Sequence, residues 1–325
     1  MDHEKGLLTE GSSKKDYHIV LLVMLVFFVI SLITNILNSI IVDVKESFDL
    51  SLTMTGFLPF TFFIAYGVMS IPAGFLSERF ENKALLSFSF LLMTLASLIF
   101  VFVPTHIVFS FTLFVLGSCM AILQVIINPM LRVAGGEEHY AFNSVVAQLV
   151  FGGASFSSPY LYKYLVNDDA NENWATMLRS FVPEHIPWAS LYLVFSVFCF
   201  VLVLIVLLTK YPTYEKVEDE KAGDSISYMT LIKNKYTLLY FLGIFCYVGI
   251  EQGIGNWISQ FLQEYHQIDP QTFGANTVAY FWAMLTVGCI LGLVLLKIFD
   301  SRKLLVGTTV ITIVCLFFAL LGNSS

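Results

Sequence analysis

Apolar residues fall in blocks of about twenty along most of the chain, at roughly 18–42, 54–77, 84–103, 107–131, 142–166, 187–209, 236–260, 274–297 and 304–322. At 1.5 Å of rise per residue, a helix of that length crosses a hydrocarbon layer of about 30 Å. Hydrocarbon offers no partner to a free N–H or C=O, and the blocks are too long for barrel strands. The pattern therefore predicts nine transmembrane helices in an all-α polytopic bundle. The first block is longer than the apolar region of a signal peptide, and no small-residue cleavage site follows before Asp43, so it is expected to stay as a helix.

Composition points the same way: 57% of residues are hydrophobic and 13% charged, and no Asp, Glu, Lys or Arg occurs between 84 and 131. Charge placement adds an orientation. With the N-terminus inside, fourteen of the seventeen Lys and Arg residues face the cytoplasm, and only Lys45, Lys163 and Arg179 face out. That asymmetry predicts a multi-pass protein of the cytoplasmic (inner) membrane with its N-terminus in the cytoplasm. The net charge of −7 says little, because acidic residues barely influence orientation. Cys119, Cys199, Cys246, Cys289 and Cys315 all lie in apolar blocks without paired spacing, so neither a disulfide framework nor a zinc site is expected. There is no phosphate loop, nucleophile elbow, His/Glu metal pattern or nucleic-acid patch. Enzyme chemistry, a cofactor and a nucleic-acid partner are all unexpected.

Residues 210–235 form the longest polar stretch and divide the chain into a tail (1–17), a six-helix bundle (18–209), a cytoplasmic linker (210–235) and a three-helix segment (236–325). Shifting the sequence by 218 residues lays the first span on the seventh, and Gly74 of GFLSERFENKALL on Gly292 of GLVLLKIFDSRKLL. Two halves sharing one hydropathy plan indicate a repeat. On that offset Ser325 matches residue 107, so the second bundle is expected to be incomplete, with nine of twelve helices present. Ser70/Gly74, Gly249/Gly253 and Gly288/Gly292 have the small-xxx-small spacing of close helix contacts, and the GGASFSSP stretch at 152–159 offers the same kind of face.

Polar side chains in apolar spans are costly and face a bundle interior or an aqueous cavity. Ser31, Asn35, Asn38 and Ser39 share one stripe of the first span, with Asp43 a turn beyond. Gln124 and Asn128 lie a turn apart before Pro129, and Asn143 and Gln148 follow in the fifth span. A carboxamide both donates and accepts, which suits a neutral polyhydroxylated ligand, although such groups also serve as hydrogen-bonding glue between helices. Glu251 is the one acid in the middle of an apolar span, where it can carry a proton, help hold Na⁺ or bond to another helix as a neutral acid. Gln252 and Asn256 flank it, with Trp257 beside them as a platform for a sugar face or as an interfacial anchor. Asn35, Asn38, Gln124, Asn128, Gln148, Gln252, Asn256 and Trp257 are thus the candidate ligand residues, with Glu251 and Asp43 as candidate cation groups.

GFLSERFENK at 74–83 resembles the signature loop between helices 2 and 3 of the major facilitator superfamily, with Glu78, Arg79 and Lys83 at its charged, conformation-gating positions. Glu81 stands where that signature usually has glycine. TNILNSIIVD at 34–43, FFIAYGVMSIPAG at 62–74, INP at 127–129, FNSVVAQ at 142–148 and FCYVG at 245–249 resemble its fucose/glucose–galactose permease branch. The resemblance implies a major-facilitator-type fold of two bundles rocking about a midplane site, transporting a monosaccharide by cation symport as a monomer. Fucose-permease relatives carry a coupling Asp and a coupling Glu where this chain has Ser39 and Gln124, so coupling through H⁺ or Na⁺ would fall to Glu251, with Asp43, or the protein would be an uncoupled facilitator. Two other classes share the architecture: a transporter or exporter of a different small solute, and a non-transporting sensor or scaffold.

Overall fold

A computed structural model describes residues 16–136, 139–166, 173–209, 233–295 and 298–321. The proposed linker at 210–235 lies outside them except for its last three residues, and the N-terminal tail lies outside except for residues 16 and 17. Among the described residues there are ten α-helices: α1 (Tyr17–Ser47), α2 (Leu52–Arg79), α3 (Asn82–Phe102), α4 (His106–Gly135), α5 (Tyr140–Val166), α6 (Asn173–Arg179), α7 (Ser190–Leu208), α8 (Lys235–His266), α9 (Ala275–Leu295) and α10 (Ser301–Leu321). Each of the nine apolar blocks is covered by a long helix. The short α6 is an addition that apolar periodicity does not mark, and the block at 187–209 opens with a 3₁₀ turn at Pro187–Ala189 before α7. Seven of the long helices are apolar enough over eighteen residues to span a membrane by composition alone. The membrane class expected from the sequence is the one observed.

Helix ends follow local chemistry. Ser51 and Thr105 accept bonds from the backbone N–H groups of Met54 and Val108, satisfying donors that the first turns of α2 and α4 leave free. At the other end of α8, Gln267 takes a left-handed conformation (φ 56°) and returns its N–H to the Gln263 carbonyl. Lys83 donates to the carbonyls of Leu207 (2.6 Å) and Thr209 (3.0 Å), placing a cation on the negative end of α7. The helix 2–3 loop is thereby tied to the end of α7. Glu78 and Arg79 close α2 on the exposed surface beside it.

α1 is the hub, buried along almost its whole length, with α4, α5 and α8 packed around it. α2 packs on α4, α3 on α4 and α7, and α9 on α5. At the end of the bundle that carries Asp43, the rings of Phe48, Phe100, Phe109, Trp188 and Tyr192 interlock at centroid distances of 4.9–6.4 Å. Buried Trp188 donates its indole N–H to Ser47 (3.0 Å). Such edge and stacked pairs contribute about 0.5–1.5 kcal/mol each beyond area burial.

Close approach occurs at Gly117, which the sequence did not single out, and at Gly152 of the small-residue stretch, and not at the small-xxx-small glycines. Gly74, Gly249, Gly253, Gly288 and Gly292 meet nothing within 4 Å of the position of an added Cβ. A Cβ on Gly117 would instead collide with the Phe62 carbonyl of α2, and one on Gly152 with the Thr286 hydroxyl of α9. Three-residue spacing marks one helix face, but only a facing neighbour makes it a contact. Gly117→Ala should therefore push α2 from α4 and lower stability by about 1–3 kcal/mol, read as a lower melting temperature of the purified protein in detergent. An unchanged melting temperature would show that the α2–α4 contact is looser than described.

Candidate functional site

α1 and α8 run side by side at close to the offset that relates the two repeats. Asn38 of α1 lies beside Gly255 of α8, Lys45 donates to Glu264 (3.1 Å), and Glu46 accepts from Gln263 (2.9 Å). Asn38 and Asn256, 218 residues apart, are the same residue type at equivalent positions of the repeat. Both are buried, and the Oδ1 of each has no hydrogen-bond partner.

The polar stripe of α1 divides along its length. Ser31 donates to the Phe151 carbonyl (2.6 Å) and pairs with the Ser155 hydroxyl (2.7 Å); Asn35 donates to Ser155 (2.9 Å) and to the Ser31 carbonyl (3.0 Å). These bonds fasten α1 to α5, so the donor of Asn35 is committed to helix packing. One turn on, both amide atoms of Asn38 and the hydroxyl of Ser39 are buried and unpartnered. Leaving such groups unpaired in a low-dielectric interior costs about 1–3 kcal/mol each.

A cavity of about 440 Å³ lies beside this seam, within the range of small-molecule sites. It is lined from α5 by Ser144, Gln148 and Ser155, from α8 by Tyr247 and Glu251, and from α9 by Trp282 and Thr286. Two predicted residues, Gln148 and Glu251, are thus brought together from separate helices. Glu251 is half-buried, accepts a long bond from Gln252 (3.4 Å) and has the Tyr247 side chain beside it. The Gln252 Oε1 is unpartnered, and Asn256 donates to the Gln252 carbonyl (2.8 Å).

The remaining predicted residues lie elsewhere. Gln124 of α4 accepts from the Tyr66 hydroxyl of α2 (2.5 Å). Exposed Asn128 donates to the Gln124 carbonyl of its own helix (3.1 Å), as expected of a residue steadying the helix before Pro129. Trp257 turns toward α2, its Cζ2 3.6 Å from where a Cβ on Gly56 would stand, and is not among the residues lining the cavity. Asp43 lies at the bundle end, where it accepts from Tyr162 (2.5 Å) and from Gln271 (3.4 Å). There it lines a second cavity of about 390 Å³ with Glu46, Ser47, His185, Pro187, Trp188 and Gln271. Sequence reasoning passed over Tyr162, Gly255 and Trp282. For Trp282 the available signal was an indole well inside a span rather than at its end.

Polytopic helices related by an internal repeat, with a cavity among them and polar ties between the halves, define a membrane transporter class of fold. Residues 23–325 match the Major Facilitator Superfamily, and the chain belongs to that family. It is 30% identical to a glucose/galactose transporter of Brucella abortus biovar 1 (strain 9-941), covering 96% of this chain and 75% of the relative. To the L-fucose-proton symporter of Escherichia coli (strain K12) it is 23% identical, covering 97% of this chain and 76% of the relative. A crystal structure of the E. coli fucose:proton symporter FucP superposes with a TM-score of 0.60 at 22% identity, covering 87% of this chain and 72% of that one.

The Asp43 cluster gives a stability prediction. Tyr162→Phe removes the shorter of the two bonds to a buried carboxyl and should cost about 1.5–3 kcal/mol. Asp43→Asn in the same background should recover part of that loss, because an amide tolerates the remaining surroundings better. Thermal unfolding of the single and double variants checks this; equal melting temperatures for all forms would remove Tyr162 from any supporting role.

Proposed function

We propose that the protein carries a monosaccharide of the hexose class across the cytoplasmic membrane by cation symport, in an alternating-access cycle. The observation that carries this reading is the free hydrogen-bonding capacity of the Trp282 indole on the wall of the Glu251 cavity and of the buried Asn38 and Asn256 on the α1–α8 seam. A sugar hydroxyl both donates and accepts, and can pair with either kind of orphaned atom. The names of the relatives in sugar transport favour the same ligand class.

Coupling is assigned to Glu251. Ser39 and Gln124 are neutral, and Gln124 is engaged with Tyr66. Glu251 is the carboxylate on the cavity wall, where a proton or Na⁺ would neutralise it as substrate binds. With the N-terminus in the cytoplasm, the Asp43 end faces outward. There Lys45–Glu264, Glu46–Gln263 and Asp43–Gln271 tie α1 to α8 and to the turn before α9, closing the outer side of the seam. Residues 236–250 of α8, toward the other end, are exposed. Rocking of one half against the other would break these ties and open the cavity outward.

Uptake of radiolabelled glucose, galactose, mannose and fucose into proteoliposomes, under imposed H⁺ or Na⁺ gradients, tests the assignment. Wild type should accumulate at least one hexose. Glu251→Gln should lose gradient-driven accumulation while retaining downhill exchange. Accumulation unchanged in Glu251→Gln would contradict the coupling role, and no hexose uptake by folded wild type would contradict the sugar reading. A thiol-reactive linker of about 10 Å joining cysteines at 45 and 264, in a background without native cysteines, should arrest transport until it is cleaved. Undiminished transport with the linker in place would mean that this end does not open.

A further inference from the structure

We propose that Trp282, rather than Trp257, is the aromatic wall of the sugar site, and that its indole N–H, with the amide of Asn38 across Gly255, selects the hydroxyl pattern of the bound hexose. The inference rests on the sugar reading above and names the residues that set its specificity.

Trp282 is 2% exposed and belongs to the face of α9 formed by Ala275, Val278, Ala279 and Trp282, all buried. Its ring lines the Glu251 cavity, and its Nε1 is a buried donor with no acceptor. A buried indole normally finds a partner, so a free one at the wall of a cavity is an exception that calls for a cause. Phe281 packs edge-on against the ring at 5.3 Å and the Thr286 hydroxyl bonds to the Trp282 backbone carbonyl (2.9 Å), and neither satisfies the indole N–H.

Gly255 joins the indole to the amide. A Cβ placed there would stand 3.1 Å from Asn38 Nδ2 and 3.4 Å from Trp282 Cζ2, so both groups converge on the missing side chain. The donor of Trp282 and the donor and acceptor of Asn38 therefore flank one short stretch of α8 backbone, in a seam closed to water in this conformation. When α8 moves against α1 the seam parts. A pyranose resting its C–H face on the indole can then pair a hydroxyl with both groups, relieving a cost that the closed seam leaves standing. Trp257 packs toward Gly56 on α2 and has no comparable partner across the cavity.

The test is counterflow exchange, which does not depend on the coupling ion, measured with the best transported hexose and its series of monodeoxy analogues on full-length protein. In wild type, one deoxy position should weaken the half-saturation concentration about tenfold, the loss of one hydrogen bond. Trp282→Phe keeps the ring and removes the N–H. It should weaken the parent sugar by a similar factor and abolish the penalty at that position alone, while penalties at other positions persist. A uniform loss across the series, or no loss, would overturn the proposal and leave the sugar reading intact; no exchange of any hexose by wild type would overturn both. Should Trp282→Phe not fold, ¹⁹F spectra of otherwise wild-type protein labelled with 5-fluorotryptophan decide the matter, with signals assigned by Phe replacement of the other three tryptophans. Saturating sugar should shift the Trp282 signal and leave that of Trp188 in place; a stationary Trp282 signal would overturn the proposal.

Discussion

An amide side chain has two donors and an acceptor with two lone pairs, and a helix buried among other helices has already spent its backbone partners on itself. Every carboxamide inside this bundle must therefore share a carbonyl of its own helix, bond to a neighbouring helix, meet water or a ligand, or leave atoms unpaired at a cost of about 1–3 kcal/mol each. That constraint separates the roles of the polar groups on α1. Ser31 and the Nδ2 of Asn35 are bonded to α5, leaving only the Asn35 Oδ1 unpaired there, whereas Asn38 on the seam with the second half has neither amide atom paired and Ser39 and Asn256 retain unpaired oxygens. The first half also holds unpaired hydroxyls at Ser87, Ser89, Ser97 and Ser158, so what distinguishes the seam is an amide with both of its polar atoms unpaired, Asn38. A seam that costs free energy when closed is suited to opening.

Much of the architecture was legible in the sequence, because hydrocarbon reduces the choice of spanning structures to helices of a known length. The repeat offset was also informative: the Asn38/Gly255, Lys45/Glu264 and Glu46/Gln263 contacts lie within a residue of it. The short α6 was not marked, because it lies in a connection between spans and carries no membrane period. Glycine spacing failed for a related reason. It reports that one face is smooth and is silent about whether a neighbour uses it, so the close contacts fell at Gly117 and, within the small-residue stretch at 152–159, at Gly152.

The site was half legible. Burying an acid in mid-span is expensive, so the position of Glu251 pointed to a cavity, and the structure lines one cavity with Glu251 from α8 and Gln148 from α5. Gln124 and Asn128 carry the same chemical signal but meet Tyr66 and their own helix, an outcome decided by the rotation of α4 against α2. Trp257 and Trp282 show the same limit. Periodicity put an indole near the amides of α8, while the indole beside the cavity came from α9, which no spacing rule within α8 could have named.

The central claim is that Asn38 is unpaired for the sake of a ligand rather than for the fold, and Asn38→Leu tests it most directly. Leucine has the same branching and the same number of side-chain heavy atoms, with no polar group to satisfy. Melting temperature and equilibrium binding of radiolabelled hexose should be measured on the same purified samples. The account predicts that the variant is at least as stable as wild type, by up to about 1–2 kcal/mol, and that it binds hexose at least tenfold more weakly. A variant that melts lower while binding hexose normally would show that the amide serves packing, and would contradict the account.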